Sequence, residues 1–327
     1  MTIKLISFLW LSSWSFQTWL QPTTALTLPL PDRRHLGHEQ LQSSGPSLIH
    51  DKRDGEPEDP NDQSWITKWA AIGDSYSAGI GCGYVLDYGC ARYNFSFPSL
   101  INVDERMGDA SRDFQFLACS GAESSDVLQN QVPQITDGIQ MITVTAEGND
   151  AHFSSILKRC VYGVGSTSIC DDRLTDAENL IQSADFRDKI NALLSAIVPK
   201  LGENGRIYYV GYAPFFDAAS TQCNNVSWDF HGGDFVHTKL TTDLRTRLNV
   251  LVSQMNGILE EIINGADDKV IFVDYSGWVA RVGGRFCEEG VTEPDVNNED
   301  SFFYQKGTVD IWETFQSSNV PELSSRE

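Results

Sequence analysis

The stretch WAAIGDSYSAG, residues 69–79, joins an apolar run to a sharp turn. The apolar residues reach Ile72 and stop at Gly73-Asp74-Ser75, which predicts a short buried strand, a tight turn and the start of a helix. Ser75 would then lie at the carboxyl end of the strand, the edge where ligands bind in open α/β sheets. Its N–H would open the helix, where unpaired N–H groups favour an anion. An attacking hydroxyl and its oxyanion need this geometry, although Asp74 and Ser75 are also ordinary helix caps.

Two later stretches repeat the pattern of a strand that ends in a polar, Gly-containing turn. Ala118-Cys119-Ser120-Gly121-Ala122 follows the apolar run 114–117, and Gly148-Asn149-Asp150 follows the apolar run 141–146. Gly121 has the simpler interpretation of a turn glycine, and Asn149 that of a side chain that holds its own loop.

The order Gly-Asp-Ser, then Gly, then Gly-Asn-Asp resembles the SGNH (GDSL) hydrolase family over about residues 69–303, and most resembles its secreted fungal members. The resemblance implies that Ser75 is the nucleophile of an esterase or lipase. It implies an oxyanion hole formed by the N–H groups of Ser75 and Gly121 and by the Asn149 side chain, which together would stabilise a tetrahedral oxyanion. No metal or organic cofactor is implied.

Strands and helices alternate along the chain. Strands are predicted near residues 69–72, 113–118, 141–146, 206–212 and 269–274. Apolar residues recur at helical spacing in two segments, at Ile190, Leu193, Leu194 and Ile197, and at Leu244, Leu248, Leu251, Met255, Ile258 and Ile262. This alternation favours an α/β fold with a mostly parallel central sheet. With the resemblance, it predicts the three-layer α/β/α SGNH-hydrolase (flavodoxin-like) fold.

The chain divides by composition into four segments. Residues 1–25 combine Lys4, an apolar run and small residues near Ala25, which predicts a signal peptide. Residues 26–64 are rich in Pro, Asp, Glu, Ser and Gly, which predicts a disordered leader or a propeptide. Residues 65–315 form the predicted SGNH hydrolase-type domain, and residues 316–327 form a polar tail. The expected location is therefore outside the cell.

The formal net charge of −21 argues against nucleic acid and anionic membrane surfaces as partners. The expected partner is a small-molecule, lipid or glycan ester, and the expected state is a monomer. No apolar run after the signal peptide has the length of a transmembrane segment. Asn94 and Asn225 lie in glycosylation sequons, which are plausible surface sites in a secreted chain.

Seven cysteines in a chain that is predicted to be secreted favour disulfides. Spacing alone does not determine the connectivity. Spacing and the resemblance together predict pairs between Cys82 and Cys90, Cys160 and Cys170, and Cys223 and Cys287, with Cys119 free and buried. A zinc site is disfavoured because no paired Cys or His spacing occurs.

The general base is missing from its expected position. A serine hydroxyl needs a base nearby, and the resemblance implies a late histidine, yet no histidine follows His237. The segment 281–288 resembles one that often carries His before Arg-Phe-Cys, but this chain has Gly284 there. The acidic partner of that histidine has no counterpart either.

Three explanations stay open: a truncated gene product, a pseudoenzyme, or another histidine that serves as the base. His152, His231 and His237 are the candidates for the third, and each has the alternative interpretation of a loop histidine. The sequence therefore predicts a secreted serine ester hydrolase. The rival prediction is a catalytically impaired protein that binds an acyl or glycan ligand.

Overall fold

The structure is a computed structural model that describes residues 61–108, 111–162, 167–228, 238–295, 298 and 300–303. The predicted signal peptide, all but the last four residues of the predicted leader and the polar tail lie outside these residues. His231 and His237 lie outside them as well.

A five-stranded parallel sheet forms the centre of the described chain. Its strands are β1 (Lys68–Gly73), β4 (Asp113–Phe116), β5 (Ile139–Thr145), β6 (Leu201–Val210) and β7 (Val270–Val273), and they lie in the order β4-β1-β5-β6-β7. A separate antiparallel hairpin joins β2 (Val85–Asp87) to β3 (Arg92–Tyr93).

The five strands predicted from apolar runs are confirmed, and their ends agree to within two residues except at the start of β6. Strand β6 begins at Leu201, although the prediction began it at Arg206. Leu201 pairs with Ile139 and Arg206 with Met141, so the intervening residues 202–205 form an irregularity in the pairing with β5. Such an irregularity accommodates extra residues that periodicity alone does not show.

The helices cover both faces of the sheet. They are α1 (Ser75–Ala78), α2 (Phe97–Asn102), α3 (Ser124–Asp126), α4 (Phe153–Ile156), α5 (Thr167–Ile181), α6 (Ala184–Ile197), α7 (Thr242–Asn264) and α8 (Ser276–Arg281). The two predicted helical segments are confirmed as α6 and α7, which begin at capping side chains of Ser183 and Thr241. Among the described residues, no helix combines the length and the apolarity that crossing a bilayer requires.

Side chains of the strands alternate between two hydrophobic cores. In β1, Ala70 and Ile72 face the core that contains α5, α6 and α7. Trp69 and Ala71 face a smaller core with α2. Both faces of the sheet are therefore covered, as parallel sheets require.

The strand order places a crevice beside β1. Strand β4 follows β1 in the chain but pairs on one side of it, while β5 pairs on the other side. The loops after β1 and β5 therefore leave the sheet at a topological switch point, where open α/β sheets bind ligands. Ser75 and Asn149 lie in these two loops.

The predicted disulfides are correct at two of three positions. Cys160 pairs with Cys170, and Cys223 pairs with Cys287. The third prediction is wrong, because Cys90 pairs with Cys119 and Cys82 is the free cysteine. The loop after β4 packs against the β2–β3 hairpin, and Ser120 N–H donates to Cys90 O at 2.9 Å, so Cys119 lies beside Cys90.

Candidate active site

Ser75 lies at the first residue of α1, directly after β1. Gly73 adopts a φ of +125° that L side chains rarely adopt, and its amide is held by Gln131, whose Oε1 accepts from Gly73 N–H at 2.7 Å. Asp74 caps the helix by accepting from Tyr76 N–H at 3.0 Å. The predicted strand, turn and helix start are confirmed.

Asp74 is the buried anchor of this turn. Its carboxyl accepts hydrogen bonds from Thr145 Oγ1 at 2.8 Å and from the Tyr212 hydroxyl. Burial raises the pKa of Asp74 to about 6, although these hydrogen bonds oppose the shift. Asp74 therefore joins the turn after β1 to β5 and to the segment after β6, while Ser75 is left facing the cavity described below.

The other two predicted oxyanion residues lie on neighbouring loops. Gly121 adopts a φ of +86° in the turn after β4. Asn149 Nδ2 donates to Ala122 O at 2.9 Å, which ties the loop after β5 to that turn. The simpler interpretation of Asn149 is thus partly correct, since its amide does hold a loop, but the second hydrogen on Nδ2 stays available to a ligand.

Two backbone N–H groups at this position make no hydrogen bond to another described residue. Among the hydrogen bonds between described residues, none has the N–H of Ser75 or of Gly121 as its donor. An oxyanion hole needs donors that are already in place and not committed elsewhere.

A buried network fixes the turn that carries Asn149. Glu147 has a φ of +80° and is fully buried; it accepts from the Tyr209 hydroxyl and contacts Ser124 Oγ at 3.1 Å. Ser124 Oγ also lies 2.7 Å from Asp150 Oδ2, and Lys189 Nζ lies 3.1 Å from Asp150 Oδ1. One hydroxyl proton cannot serve two carboxylates, so one carboxyl must carry a proton.

That proton belongs on Glu147. Burial raises its pKa to about 8, and the nearby carboxylates of Asp150 and Asp74 raise it further, while its bonds to Tyr209 and Ser124 oppose the shift. Neutral Glu147 can donate to Ser124 Oγ, which leaves the Ser124 proton for Asp150 Oδ2.

Glu147→Gln should flatten the pH dependence of stability. Folded Glu147 keeps its proton up to about pH 8, whereas the unfolded group loses it near 4.5. The free energy of unfolding of the wild type therefore falls as pH rises between these values, by up to about 1.4 kcal/mol per pH unit. Urea unfolding at pH 6.5 to 8, above the titration of Asp74, measures the difference between the two proteins. Parallel curves would show that Glu147 is ionised in the fold.

A cavity of about 480 Å³ opens above these residues. Ser75, Gly121, Asn149 and His152 all line it. The remaining wall is largely aromatic and aliphatic, and includes Phe97, Phe153, Phe215, Phe216, Trp228 and Phe286. The cavity thus combines polar groups with a largely apolar wall, as ligand-binding cavities do.

His152 is the one candidate base that lies within the described residues. It is exposed, adopts a φ of +57° and precedes α4. The hydrogen bonds between described residues do not join His152 to Ser75. Among the described residues, no group of three His, Cys, Asp or Glu side chains could hold a metal ion.

The position where the resemblance implies a late histidine is filled by another side chain. A Cβ atom on Gly284 would lie 2.0 Å from Cδ2 of Phe302. Phe302 N–H also donates to Gly284 O at 2.8 Å. The Phe302 ring therefore occupies the space next to Gly284 that a larger side chain would need.

Sequence reasoning missed the polar residues beneath the site. Tyr212, Thr145, Glu147 and Ser124 were not singled out, although each holds a loop that carries a predicted site residue. The sequence did contain one signal of these residues. Thr145 is a polar residue within the apolar run of β5, and Glu147 directly follows that run.

No family model matches this chain, but comparison with known proteins finds relatives of it. "Lipase 1" of Streptomyces coelicolor is 33% identical over 155 residues, which are 47% of this chain and 55% of that protein. "Lipase" of Streptomyces rimosus is 36% identical over 152 residues, which are 46% of this chain and 54% of that protein. The chain is similar to Streptomyces lipases. It spans about half the length of these curated relatives. A greater likeness to fungal proteins stays a prediction.

Solved structures show the same fold. The extracellular lipase of Streptomyces rimosus superposes with a TM-score of 0.56 at 23% identity, covering 77% of this chain and 100% of that one. Phospholipase A1 from Streptomyces albidoflavus NA297 gives a TM-score of 0.55 at 24% identity, covering 68% and 84%. The predicted three-layer α/β/α fold of the SGNH hydrolases, with its parallel sheet, is confirmed.

Proposed function

We propose that this chain is a secreted serine ester hydrolase of the SGNH type. Ser75 loses its proton to a general base and attacks the acyl carbonyl, and the N–H groups of Ser75 and Gly121 and the Asn149 amide hold the oxyanion. The ester C–O bond then breaks, and the alcohol leaves with the proton from the base. Water finally hydrolyses the acyl–Ser75 bond, which releases the acid and restores the Ser75 hydroxyl. One observation carries the proposal: Ser75, Gly121 and Asn149 line one cavity, and the first two have N–H groups that no other described residue uses.

The apolar wall supports an ester with an apolar acyl group as substrate. Phe215, Phe216 and Phe286 line the cavity on which Ser75 also opens. Such a wall stabilises a hydrocarbon chain by removing it from water, at roughly 0.8 kcal/mol per buried CH₂ group. The lipase names of the relatives agree with this substrate class.

Location outside the cell is part of the proposal. Three disulfides join described residues, and disulfides persist in oxidising compartments. The structural neighbour from Streptomyces rimosus is named an extracellular lipase.

The candidate base within the described residues is His152. We expect the purified chain to hydrolyse p-nitrophenyl esters and His152→Asn to lower kcat by about 10²- to 10⁴-fold, with little change in KM. Asparagine suits this test because it tolerates the left-handed backbone of residue 152.

Unchanged kcat in His152→Asn would remove His152 as the base while leaving the role of Ser75 intact. His231 and His237 would then be substituted in the same way. The pH profile of kcat gives an independent readout, because the loss of a basic histidine removes its acidic limb.

A second candidate function is a binding protein that keeps the pocket without turnover. The position of Phe302 against Gly284 favours it, because the implied late histidine has no space there. This candidate predicts that a non-hydrolysable acyl ligand binds equally to the wild type and to Ser75→Ala, and that neither protein turns over an ester. Steady turnover that depends on Ser75 would exclude it.

A further inference from the structure

Exposed apolar side chains are concentrated on the β2–β3 hairpin. Among the described residues, seven large hydrophobic side chains are exposed, and four of them lie between residues 84 and 95. They are Tyr84 at 80%, Leu86 at 60%, Tyr88 at 87% and Phe95 at 46% exposure. The other three, Val103, Ile169 and Val250, lie outside this segment.

Exposure alternates along residues 84–88. Tyr84, Leu86 and Tyr88 alternate with Val85 and Asp87, which are less exposed. Leu86 lies within the short strand β2, and Tyr84 and Tyr88 flank that strand on either side. All three side chains are exposed to solvent. A half-buried strand normally turns its polar face to water, and here the pattern is reversed.

This face carries no net charge. Asp87 and Arg92 are the charged residues of the segment 84–95, and they form an ion pair with each other. The whole chain carries a formal charge of −21. An uncharged apolar face on a strongly acidic protein fits a neutral or zwitterionic surface and disfavours both an anionic one and a second copy of the chain.

The hairpin is held rigidly beside the cavity. Cys90 is bonded to Cys119, Arg92 donates to Ala118 O at 3.3 Å, and Tyr84 N–H donates to Asn94 Oδ1 at 2.6 Å. Five residues of this segment also line the cavity that contains Ser75, namely Gly89, Cys90, Ala91, Tyr93 and Phe95. The exposed face is thus continuous with the cavity wall and is already ordered before it meets a partner.

We propose that the hairpin face of Tyr84, Leu86 and Tyr88 docks onto the surface of an aggregated, uncharged or zwitterionic ester lipid and brings that lipid to the cavity. Tyrosine and leucine together suit the boundary between acyl chains and headgroups. Three or four side chains are far fewer than the roughly 20–30 residues a side of a stable protein interface. The inference deepens the proposed function and rests on it for the ester chemistry of the lipid.

Vesicle binding tests this surface without relying on catalysis. Deglycosylated full-length protein is sedimented with sucrose-loaded vesicles of dialkyl-ether phosphatidylcholine, which contain no ester bond. Removal of glycans keeps a sugar on the predicted site Asn94 from screening the hairpin. The triple variant Tyr84→Ser, Leu86→Ser, Tyr88→Ser should bind at least about tenfold more weakly than the wild type. A matched variant, Val103→Ser, Ile169→Ser, Val250→Ser, should bind like the wild type.

Two further measurements separate the outcomes. Hydrolysis of a soluble short-chain ester should be equal in the wild type and the hairpin variant, which shows that the fold and the site are intact. Should the triple variant misfold, Tyr84→Trp with Tyr88→Trp keeps the test decisive, because it should bind vesicles at least as tightly as the wild type.

The proposal is overturned if the wild type does not sediment with the vesicles, if both serine variants lose binding equally, or if the tryptophan variant binds more weakly. A dimer in ultracentrifugation that only the hairpin variant abolishes would assign the face to a second copy instead. Vesicle binding without any ester turnover would leave the surface in place and reject the proposed function.

Discussion

Ser75→Ala is expected to lower ester hydrolysis by at least about 10⁴-fold, since removal of the nucleophile leaves only binding and the oxyanion donors. Ser75 is half-buried, and none of the hydrogen bonds between described residues engages its hydroxyl. The change in the free energy of unfolding should therefore be small, about 0.5 kcal/mol or less. Steady-state hydrolysis and thermal unfolding of the purified variant measure both quantities. A phosphonate probe should label the wild type at Ser75 and leave the variant unlabelled.

Ser77→Ala is the matched control, because Ser77 lies on the same helix but in the core. Its Oγ lies 2.8 Å from Thr145 Oγ1, to which it can donate because the Thr145 proton goes to Asp74, and Ser77 is fully buried. We expect this variant to lose about 1 kcal/mol of stability and to keep its hydrolysis rate when folded. If Ser75→Ala keeps wild-type turnover, the nucleophile is another group and the proposed mechanism is wrong.

Gly73→Ala is expected to destabilise the fold by roughly 2–6 kcal/mol, the sum of backbone strain and overpacking. The φ of +125° is unfavourable for alanine, and the added Cβ would lie 2.0 Å from Thr145 O. That carbonyl accepts from Asp74 N–H at 2.9 Å, so any shift that relieves the contact also moves the turn before Ser75. A typical domain has only about 5–15 kcal/mol of stability, so the variant should show a large loss of soluble yield.

Gly257→Ala is the same kind of substitution, but it is expected to raise the stability of the protein. Gly257 lies in the middle of α7 and is exposed, and a Cβ atom there would meet nothing within 4 Å. Alanine should therefore stabilise the protein by about 0.5–1 kcal/mol. Urea unfolding of both variants and of the wild type measures these differences in the free energy of unfolding. Equal stability of Gly73→Ala and the wild type would show that the turn relaxes freely.

The fold could be predicted because its strands and helices are long periodic features. Strands β1, β5 and β6 contain apolar runs, and helices α6 and α7 contain apolar residues at helical spacing. Each pattern extends over several consecutive residues, so it can be recognised in the sequence alone. The disulfide at Cys90 could not be predicted in this way. Cys82 is close to Cys90 in sequence, but the contact between the hairpin and the loop after β4 places Cys119 there instead.

The candidate site was predictable only in part. Three site residues each follow an apolar run and lie at the same edge of the sheet, namely Ser75, Gly121 and Asn149. A pattern in the sequence could therefore predict them. Tyr212 and Ser124 belong to no such pattern. Their importance comes from hydrogen bonds across sequence separations of 138 and 26 residues, to Asp74 and Asp150, which are determined only by the assembled fold.

The position of β1 between β4 and β5 has a consequence for how the chain is made. Trp69 pairs with Met141, about 70 residues later, and the partner strand β5 itself pairs with β6 beyond residue 200. At a synthesis rate of about 5–20 residues per second, roughly 4–14 seconds separate the appearance of β1 from that of β5. During this interval β1, whose residues 69–73 are all buried in the fold, has no neighbour on that side. Nascent chains of this protein should therefore depend on chaperones more than chains whose first strand closes a local hairpin.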